Sequence, residues 1–197
     1  SGFEPAQSHY VLYEDRTDDK TLAANSNLNI QLTENTAFDG GITFRNLKSH
    51  QFQYLLDLLG GRYFEDIDAF YQGNQSQSDL QNPNRQVKEG ETYGYNYNLF
   101  ATTIDAFAQF KFSYNKTDFY LGQSYSVSNY QREGLYQNGI YPTSSLGKSN
   151  KVNFENFGFK GGLTYKISGK QWLFFNGMHL SRAPSLRNTF LNSRLNN

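Results

Sequence analysis

Aromatic side chains in two long polar stretches are the residues of this chain best suited to bind a ligand. Rings on loops can stack on sugars or apolar ligands, and they supply contact area at low entropic cost. The same rings can instead pack one loop against another. The candidate ligand-binding residues are Tyr54, Tyr63, Phe64, Tyr71, Tyr136 and Tyr141, with Phe70 beside them.

An acidic cluster near the start of the chain offers oxygen atoms that could hold a calcium ion. Its acidic residues are Glu14, Asp15, Asp18 and Asp19, of which the three aspartates are the candidate ligands, and Ca²⁺ prefers oxygen ligands. The spacing matches no EF-hand, however, and Arg16 and Lys20 lie among the acids. A solvated, partly self-neutralised loop is the better interpretation, so we predict no metal site.

Catalytic motifs are missing from the sequence. The three histidines, His9, His50 and His179, are far apart and form neither an H-x-x-x-H nor an H-E-x-x-H pattern. Gly-x-Ser-x-Gly is absent, and no carboxylate pair stands out as an acid–base couple. We therefore predict that the protein is not an enzyme and needs no cofactor.

The amino-acid composition limits the classes of function and fold that the chain can have. Lys plus Arg and Asp plus Glu balance at 18 each, which argues against nucleic acid as a partner. The absence of Cys excludes disulfides and thiolate metal sites. No apolar run approaches the roughly 20 residues of a membrane helix. The mean hydropathy is −0.71 although the chain has 17 Phe and 15 Tyr, a combination that the alternating strands of a membrane barrel also give.

Strict alternation of apolar and polar residues from Thr21 to Thr33 predicts a β-strand. Leu22, Leu28 and Ile30 share one parity, and amides occupy the other. The length slightly exceeds the ~9–11 residues that cross a bilayer at a tilt. An uncharged amide face suits a wet lumen, and it also suits the outer face of a soluble sandwich.

Three hairpins, and so six strands, are predicted over residues 21–46, 93–131 and 153–181. Short turns close them, whereas long loops over about 47–92 and 132–151 join them. This asymmetry is typical of outer-membrane barrels, which have short periplasmic turns and long extracellular loops. The rings that flank the short turns fit a membrane-interface girdle or, alternatively, ordinary cross-strand packing. These rings are Tyr114, Phe119, Tyr165 and Trp172.

Two local features are predicted within this pattern. A change of apolar parity near Thr103 to Asp105 indicates a bulge in a strand of some twenty residues. In the first long loop, residues 49–61 place Phe52, Leu55 and Leu59 at helical spacing, with Gly60 near the end. We expect a short helix there.

Several segments resemble the barrel region of TonB-dependent outer-membrane receptors of the Bacteroidetes type, the group that often carries a carboxypeptidase-regulatory-like domain. The individual phrases are short, but their order and spacing make the likeness fairly specific over nearly the whole chain. They are LYEDRTD at 12–18, RNLKS at 45–49, DLLGG at 57–61, YQREGLYQNG at 130–139, NFGFKGGLTYK at 156–166 and SRAPSLRN at 181–188.

The resemblance implies an antiparallel up-and-down transmembrane β-barrel of 22 strands closed by a plug, with nutrient uptake driven through TonB. The chain departs from that pattern, with no plug segment, TonB-contacting box or signal peptide. We therefore expect a single barrel segment of about six strands, a quarter of the wall. The implied location is the outer membrane, and the implied partners are membrane lipid, TonB through the plug region, and a small-molecule, oligosaccharide or peptide substrate.

Two other classes compete with an uptake receptor. A soluble β-sandwich whose loop rings bind glycan would turn all its apolar strand faces toward one core. A barrel would turn them outward to lipid. An enzyme on a β-rich fold would need a convergent polar cluster that the sequence lacks.

Overall fold

The computed structural model describes residues 7–190, 192, 194 and 195. Strands make up most of this part of the chain. In order, the elements are β1 (Leu12–Thr33), β2 (Thr36–Asp57), β3 (Phe64–Glu65), a 3-10 turn (Gly73–Ser76), β4 (Gln86–Val87), β5 (Thr92–Ser113), β6 (Thr117–Gly134), β7 (Gly147–Lys148), β8 (Val152–Ser168), β9 (Gln171–Leu180) and α1 (Leu186–Thr189).

The six long strands form one antiparallel up-and-down sheet in the order β1-β2-β5-β6-β8-β9. The predicted all-β, up-and-down architecture is thus confirmed. β7 adds a short pairing at the end of β6, and β3 pairs with β4 in a separate two-stranded sheet. Within the described residues the long sheet does not close, so β1 and β9 each have one unpaired edge.

The predicted hairpins are the pairs β1–β2, β5–β6 and β8–β9. Two or three residues separate the strands in each pair, and we call this end of the sheet the turn end. The connections 58–91 and 135–151 lie at the opposite end, the loop end. The predicted alternation of short turns and long loops is therefore present.

β1 and β2 extend beyond the predicted bounds of 21–46, and the predicted helix at 49–61 is wrong. β2 continues to Asp57 because its last residues pair with β1 on one side and β5 on the other. Two neighbouring strands satisfy the backbone groups that a helix would have satisfied within itself. The strand ends where Leu59 and Gly60 adopt positive φ angles of 52° and 94°.

The predicted bulge near Thr103 to Asp105 is also wrong, although β5 has the predicted length, at 22 residues. Pairing with β2 runs without a register shift from Asn96 to Phe112. The irregularity lies at the loop end, where Phe52 pairs with Asn96 but the next residue pairs with Tyr93. The apolar parity of β5 changes along the strand. Near the loop end, Leu99 belongs to a buried cluster on one side of the sheet and Tyr97 packs against it, whereas near the turn end Ile104 and Phe110 are exposed on the other side.

The register gives the sheet two distinct faces over its turn-end half. One of them, which we call the apolar face, is interrupted by Ser26, Gln123, Glu155, His179 and three glycines. The apolar face carries Leu22, Ala24, Leu28, Ile30, Phe38, Ile42, Phe44, Ile104, Ala106, Ala108, Phe110, Phe112, Phe119, Leu121, Tyr125, Val127, Phe157, Phe159, Leu163, Tyr165, Leu173 and Phe175.

The opposite face, which we call the polar face, is rich in amides, hydroxyls and charges. Near the turn end, Asp39 accepts hydrogen bonds from Asn29 and Gln109 and forms a 2.5 Å ion pair with Lys111. A second ion pair of 2.7 Å joins Lys166 to Asp118. The large apolar side chains here are Phe107 and four residues of β9, namely Trp172, Phe174, Met178 and Leu180.

Three of the four predicted girdle rings lie at the turn end of the apolar face. The ring of Phe119 stacks at 4.5 Å on Phe112 and lies 6.4 Å from Tyr114. Tyr165 pairs with Leu173 on the same face. Trp172 differs, because its pairing with Lys166 places it on the polar face.

Candidate ligand-binding site

Among the described residues, two buried clusters cover the polar face at the loop end of the sheet. Leu55 of β2 is fully buried there beneath Val87 of β4, beside Leu58 and Tyr93. A second buried cluster joins β5 and β6 to the segment after β9. Its members are Leu99, Ala101, Tyr130 and Phe190, with Leu47, Tyr97, Phe154 and Leu186 against them.

A buried carboxylate, Asp66, ties the first loop to the sheet. Its Oδ2 accepts a 2.8 Å hydrogen bond from Arg85, and its Oδ1 accepts one of 2.9 Å from the backbone of Gly94. The Arg85 guanidinium lies 5.0 Å from the ring of Tyr136, and the Tyr136 hydroxyl donates to the carbonyl of Thr92. This one network therefore contacts both loops and β5.

A second buried carboxylate, Asp79, joins the two loops to each other. Its Oδ1 accepts a 3.0 Å hydrogen bond from the backbone of Gln137, and its Oδ2 accepts one of 2.7 Å from Asn82. The backbone of Leu80 also donates to the Gln137 carbonyl at 2.7 Å. Charge-assisted bonds of this kind are stronger than neutral ones, so the loops form one body.

Gly139 of the second loop lies directly against Asn74 of the first loop. A Cβ at this position would lie 1.8 Å from the carbonyl oxygen of Asn74. We expect Gly139→Ala to separate the loops at a cost of about 1–3 kcal/mol, the usual range for overpacking. Hydrogen exchange should then accelerate at the Gly139 and Leu80 amides, which donate across the contact.

Gly169→Ala is the matched control, because a Cβ there would meet nothing within 4 Å. Unchanged exchange at Leu80 in Gly139→Ala would show that the two loops move independently.

Between the polar face and the segment after β9 lies an open cavity of about 610 Å³. Its size falls in the range of small-ligand pockets. Asp15, Thr17, Gln51, Tyr95, Tyr97 and Leu99 form its floor on β1, β2 and β5. Leu186, Arg187, Phe190 and Asn192 form its roof.

Tyr95 and Asp15 form the acidic end of the floor. The Tyr95 hydroxyl donates a 2.9 Å hydrogen bond to Oδ1 of Asp15, and the Gln53 side chain donates to the same oxygen at 3.1 Å. Burial, followed by the hydrogen bond to Asp15, raises the pKa of Tyr95 well above its usual value. The phenol therefore remains a protonated donor throughout the neutral range.

Tyr97 and Arg187 line the basic end, and Arg132 contacts Tyr97 without lining the cavity. The rings of Tyr95 and Tyr97 are 5.8 Å apart, and the guanidinium of buried Arg132 lies 4.8 Å from the Tyr97 ring. Burial raises the pKa of Tyr97, whereas the charges of Arg132 and Arg187 lower it. The two guanidinium groups thus act on the same phenol.

The bulge in β5 explains the position of Tyr95. Gly94 has a φ of +67°, which favours glycine, and a Cβ there would lie 1.9 Å from the amide oxygen of Gln53. Gln53 can therefore reach Asp15, and the Gly94 amide turns to Asp66. The bulge therefore connects Tyr95 in the cavity floor to Asp66, the carboxylate that joins the first loop to the sheet.

The six predicted ligand-binding rings are not brought together, and the cavity lining contains none of them. Tyr54 lies on the apolar-face side, with the Arg16 guanidinium 3.7 Å from its ring centroid. Phe64 packs edge-on against Tyr93 at 5.4 Å, and Tyr136 belongs to the Arg85 network. The other three, Tyr63, Tyr71 and Tyr141, lie along the loops and are half-buried or exposed.

The acidic cluster is part of a strand and not a loop as predicted, because Asp15, Asp18 and Asp19 all belong to β1. Asp15 and Asp19 share the polar face and Asp18 points the other way, so the three cannot surround one ion. Among the described residues no group of three His, Asp or Glu side chains could hold a metal.

The residues that line the cavity were missed because the sequence predicted Tyr95 and Tyr97 only as strand residues. A usable signal was present in the alternating tyrosines 93, 95 and 97 next to Gly94. Aromatics at period two beside a glycine favour one ring-lined face next to a bulge.

None of the helices in the described part of the chain has the length and apolar character needed to cross a membrane. Comparison with protein-family models, curated proteins and solved structures found no match.

Proposed function

We propose that this sheet is part of the wall of an outer-membrane β-barrel in a TonB-dependent uptake receptor. The observation that carries the proposal is the bare apolar face. Large side chains such as Leu121, Phe159 and Phe175 are 52–72% exposed there, whereas the two buried clusters that the described loops and the segment after β9 form with the sheet lie on the opposite face. A soluble protein rarely exposes a contiguous apolar surface of this extent.

The height of the apolar face agrees with a bilayer. From Phe119 to Val127 the strand rises about 26 Å, at roughly 3.3 Å per residue. A tilt of about 40° reduces this to some 20 Å, and the end rings extend it toward the ~25 Å apolar band of such barrels. On the same face, Lys20 and Lys48 pair just beyond this band, at the level expected for lipid head groups.

The free edges of the sheet support a larger closed structure. β1 is paired on one side only over all its 22 residues, and β9 is likewise an edge within the described chain. Unpaired backbone groups cannot face lipid, so a membrane sheet must close. We propose that further strands pair with both edges, completing the 22-stranded barrel implied by the resemblance.

In this arrangement the polar face lines the lumen and the loops face the outside. The cavity beside Tyr95 and Tyr97 then lies on the lumen side above the membrane, where a receptor first meets its ligand. Capture there would precede release past the plug, and TonB would contact the plug region and not this sheet. The outer membrane is the proposed location.

Single cysteines placed in this chain, which has no native Cys, can test both the barrel and its orientation, with the unsubstituted full-length protein as the labelling background. Phe70 is 94% exposed in the first loop, and Lys170 is exposed in a short turn. In the full-length protein on intact cells, a membrane-impermeant maleimide should label Phe70→Cys but not Lys170→Cys. Lys170→Cys should react once the outer membrane is permeabilised.

The control for accessibility is the purified protein in detergent, where both cysteines should react. A full-length protein that fractionates as soluble without detergent would contradict the proposal and favour the β-sandwich glycan module. Labelling of Lys170→Cys on intact cells, with Phe70→Cys protected, would reverse the orientation.

A further inference from the structure

The cavity holds opposite charges at its two ends. In the floor, Asp15 uses Oδ1 to accept from Tyr95 and Gln53, while within the described residues Oδ2 has no donor. The Asp15 side chain is exposed, so Oδ2 is open to a ligand. An additional donor, above all a positively charged one, would complete the hydrogen bonding of this carboxylate.

The positive end lies in the roof. Arg187 precedes Phe190 on the segment that packs on β5 and β6, and its side chain is exposed. Among the described residues it forms no ion pair and no hydrogen bond through its guanidinium. Its charge and that of Arg132 both act on Tyr97, so this end is positive while the Tyr95 end is negative.

Apolar and aromatic surface lines the rest of the cavity. Leu99, Leu186 and Phe190 contribute to the walls, and the rings of Tyr95 and Tyr97 lie 5.8 Å apart in the floor. Rings can cover aliphatic side chains while their hydroxyls stay hydrogen-bonded. The lining of the cavity thus combines a carboxylate, apolar walls and a guanidinium.

We propose that this cavity binds a short peptide with free termini, the ammonium group facing Asp15 and the carboxylate facing Arg187. Arginine matches a carboxylate with two parallel donors, and a peptide side chain would lie on the apolar walls. This inference rests on the proposed uptake function and names its substrate class.

Other ligand classes fit less well. A neutral sugar would desolvate both charges without pairing either, which costs free energy. A polyanionic metal chelator would meet Arg187 but would be repelled by Asp15.

The test is calorimetric titration of the detergent-purified full-length receptor with trialanine, its N-acetyl form, its C-terminal amide, and maltotriose. Trialanine should bind, each capped peptide should bind at least about tenfold more weakly, and maltotriose should not bind. The expected weakening of the capped peptides follows from the loss of one charged hydrogen-bonded pair, which lowers affinity on the order of tenfold or more.

Variants should give a reciprocal pattern. Asp15→Asn should weaken trialanine and the amide but leave the N-acetyl peptide unchanged, because that peptide has no ammonium group. Arg187→Gln should weaken trialanine and the N-acetyl peptide but not the amide. Asp18→Asn, on the same strand with its side chain on the other face, is the control and should bind like the wild type.

Equal binding of free and capped peptides, or tighter binding of maltotriose, would overturn the peptide assignment. Neither result would affect the uptake function, which depends on the membrane location and labelling of the same protein. No heat with any probe would likewise reject this cavity as a peptide site.

Discussion

Replacing Ile42 by arginine is expected to destabilise the full-length protein in a bilayer by about 2–4 kcal/mol, the cost of a lipid-facing arginine near the midplane of a barrel. Ile42 is 53% exposed on the apolar face, so in water the same arginine would be solvated. The large effect therefore arises only if lipid covers this face. Urea unfolding of the protein refolded into lipid vesicles measures it.

Two arginines at neighbouring positions provide controls. Thr43→Arg faces the polar side and should change the free energy of unfolding little, because the lumen is wet. Asn46→Arg shares the face of Ile42 but lies beyond the apolar band, so its cost should fall to about 0–1 kcal/mol. Equal costs at all three positions would exclude lipid contact and leave the barrel proposal without its main support.

The turn-end half of the fold could be predicted because its information is local. Leu22, Leu28 and Ile30 alternate with amides, and this period of two specifies both the strand and its faces. Each hairpin turn lies next to the strands it joins. Lipid-facing and lumen-facing residues follow from this alternation without any long-range contact.

The loop-end half could not be predicted because its information is distant in sequence. Phe52 and Leu55 have helical spacing, yet β2 stays extended because strands about 40 residues away on either side pair with it. The acidic stretch around Asp18 has no apolar alternation and still forms a strand by pairing with β2. Tertiary context overrides local propensity at these positions.

The cavity depends on similarly distant contacts. Asp15 and Tyr95 are 80 positions apart, and Arg187 arrives from a segment that crosses the sheet after β9. The sequence shows tyrosines at every second position. It does not show that the Asp15 carboxylate accepts a hydrogen bond from one of them, Tyr95. The aromatic residues of the loops, by contrast, were easy to identify in the sequence. In the structure some of them, such as Phe64, pack against other residues of the protein.

Replacing Asp66 by alanine is expected to release the first loop from the sheet at a cost of about 3 kcal/mol. The Asp66 side chain is only 2% exposed, and its loss would leave the half-buried Arg85 guanidinium without its carboxylate. Removing one partner of a buried ion pair costs about 3–5 kcal/mol, and the lower end applies because the Arg85 side chain is 27% exposed.

The same substitution should reach the ligand cavity, because Asp66 also accepts from the Gly94 amide beside Tyr95. Hydrogen exchange should accelerate at Gly94 and along β3 and β4, and ligand affinity should fall although Asp66 does not line the cavity. Glu91→Ala is the control, since Glu91 is exposed and, within the described part of the chain, its carboxylate accepts only from the backbone of nearby Lys88. If Asp66→Ala loosened the loop but left Gly94 and ligand affinity unchanged, the bulge would hold Tyr95 in place independently of the loop.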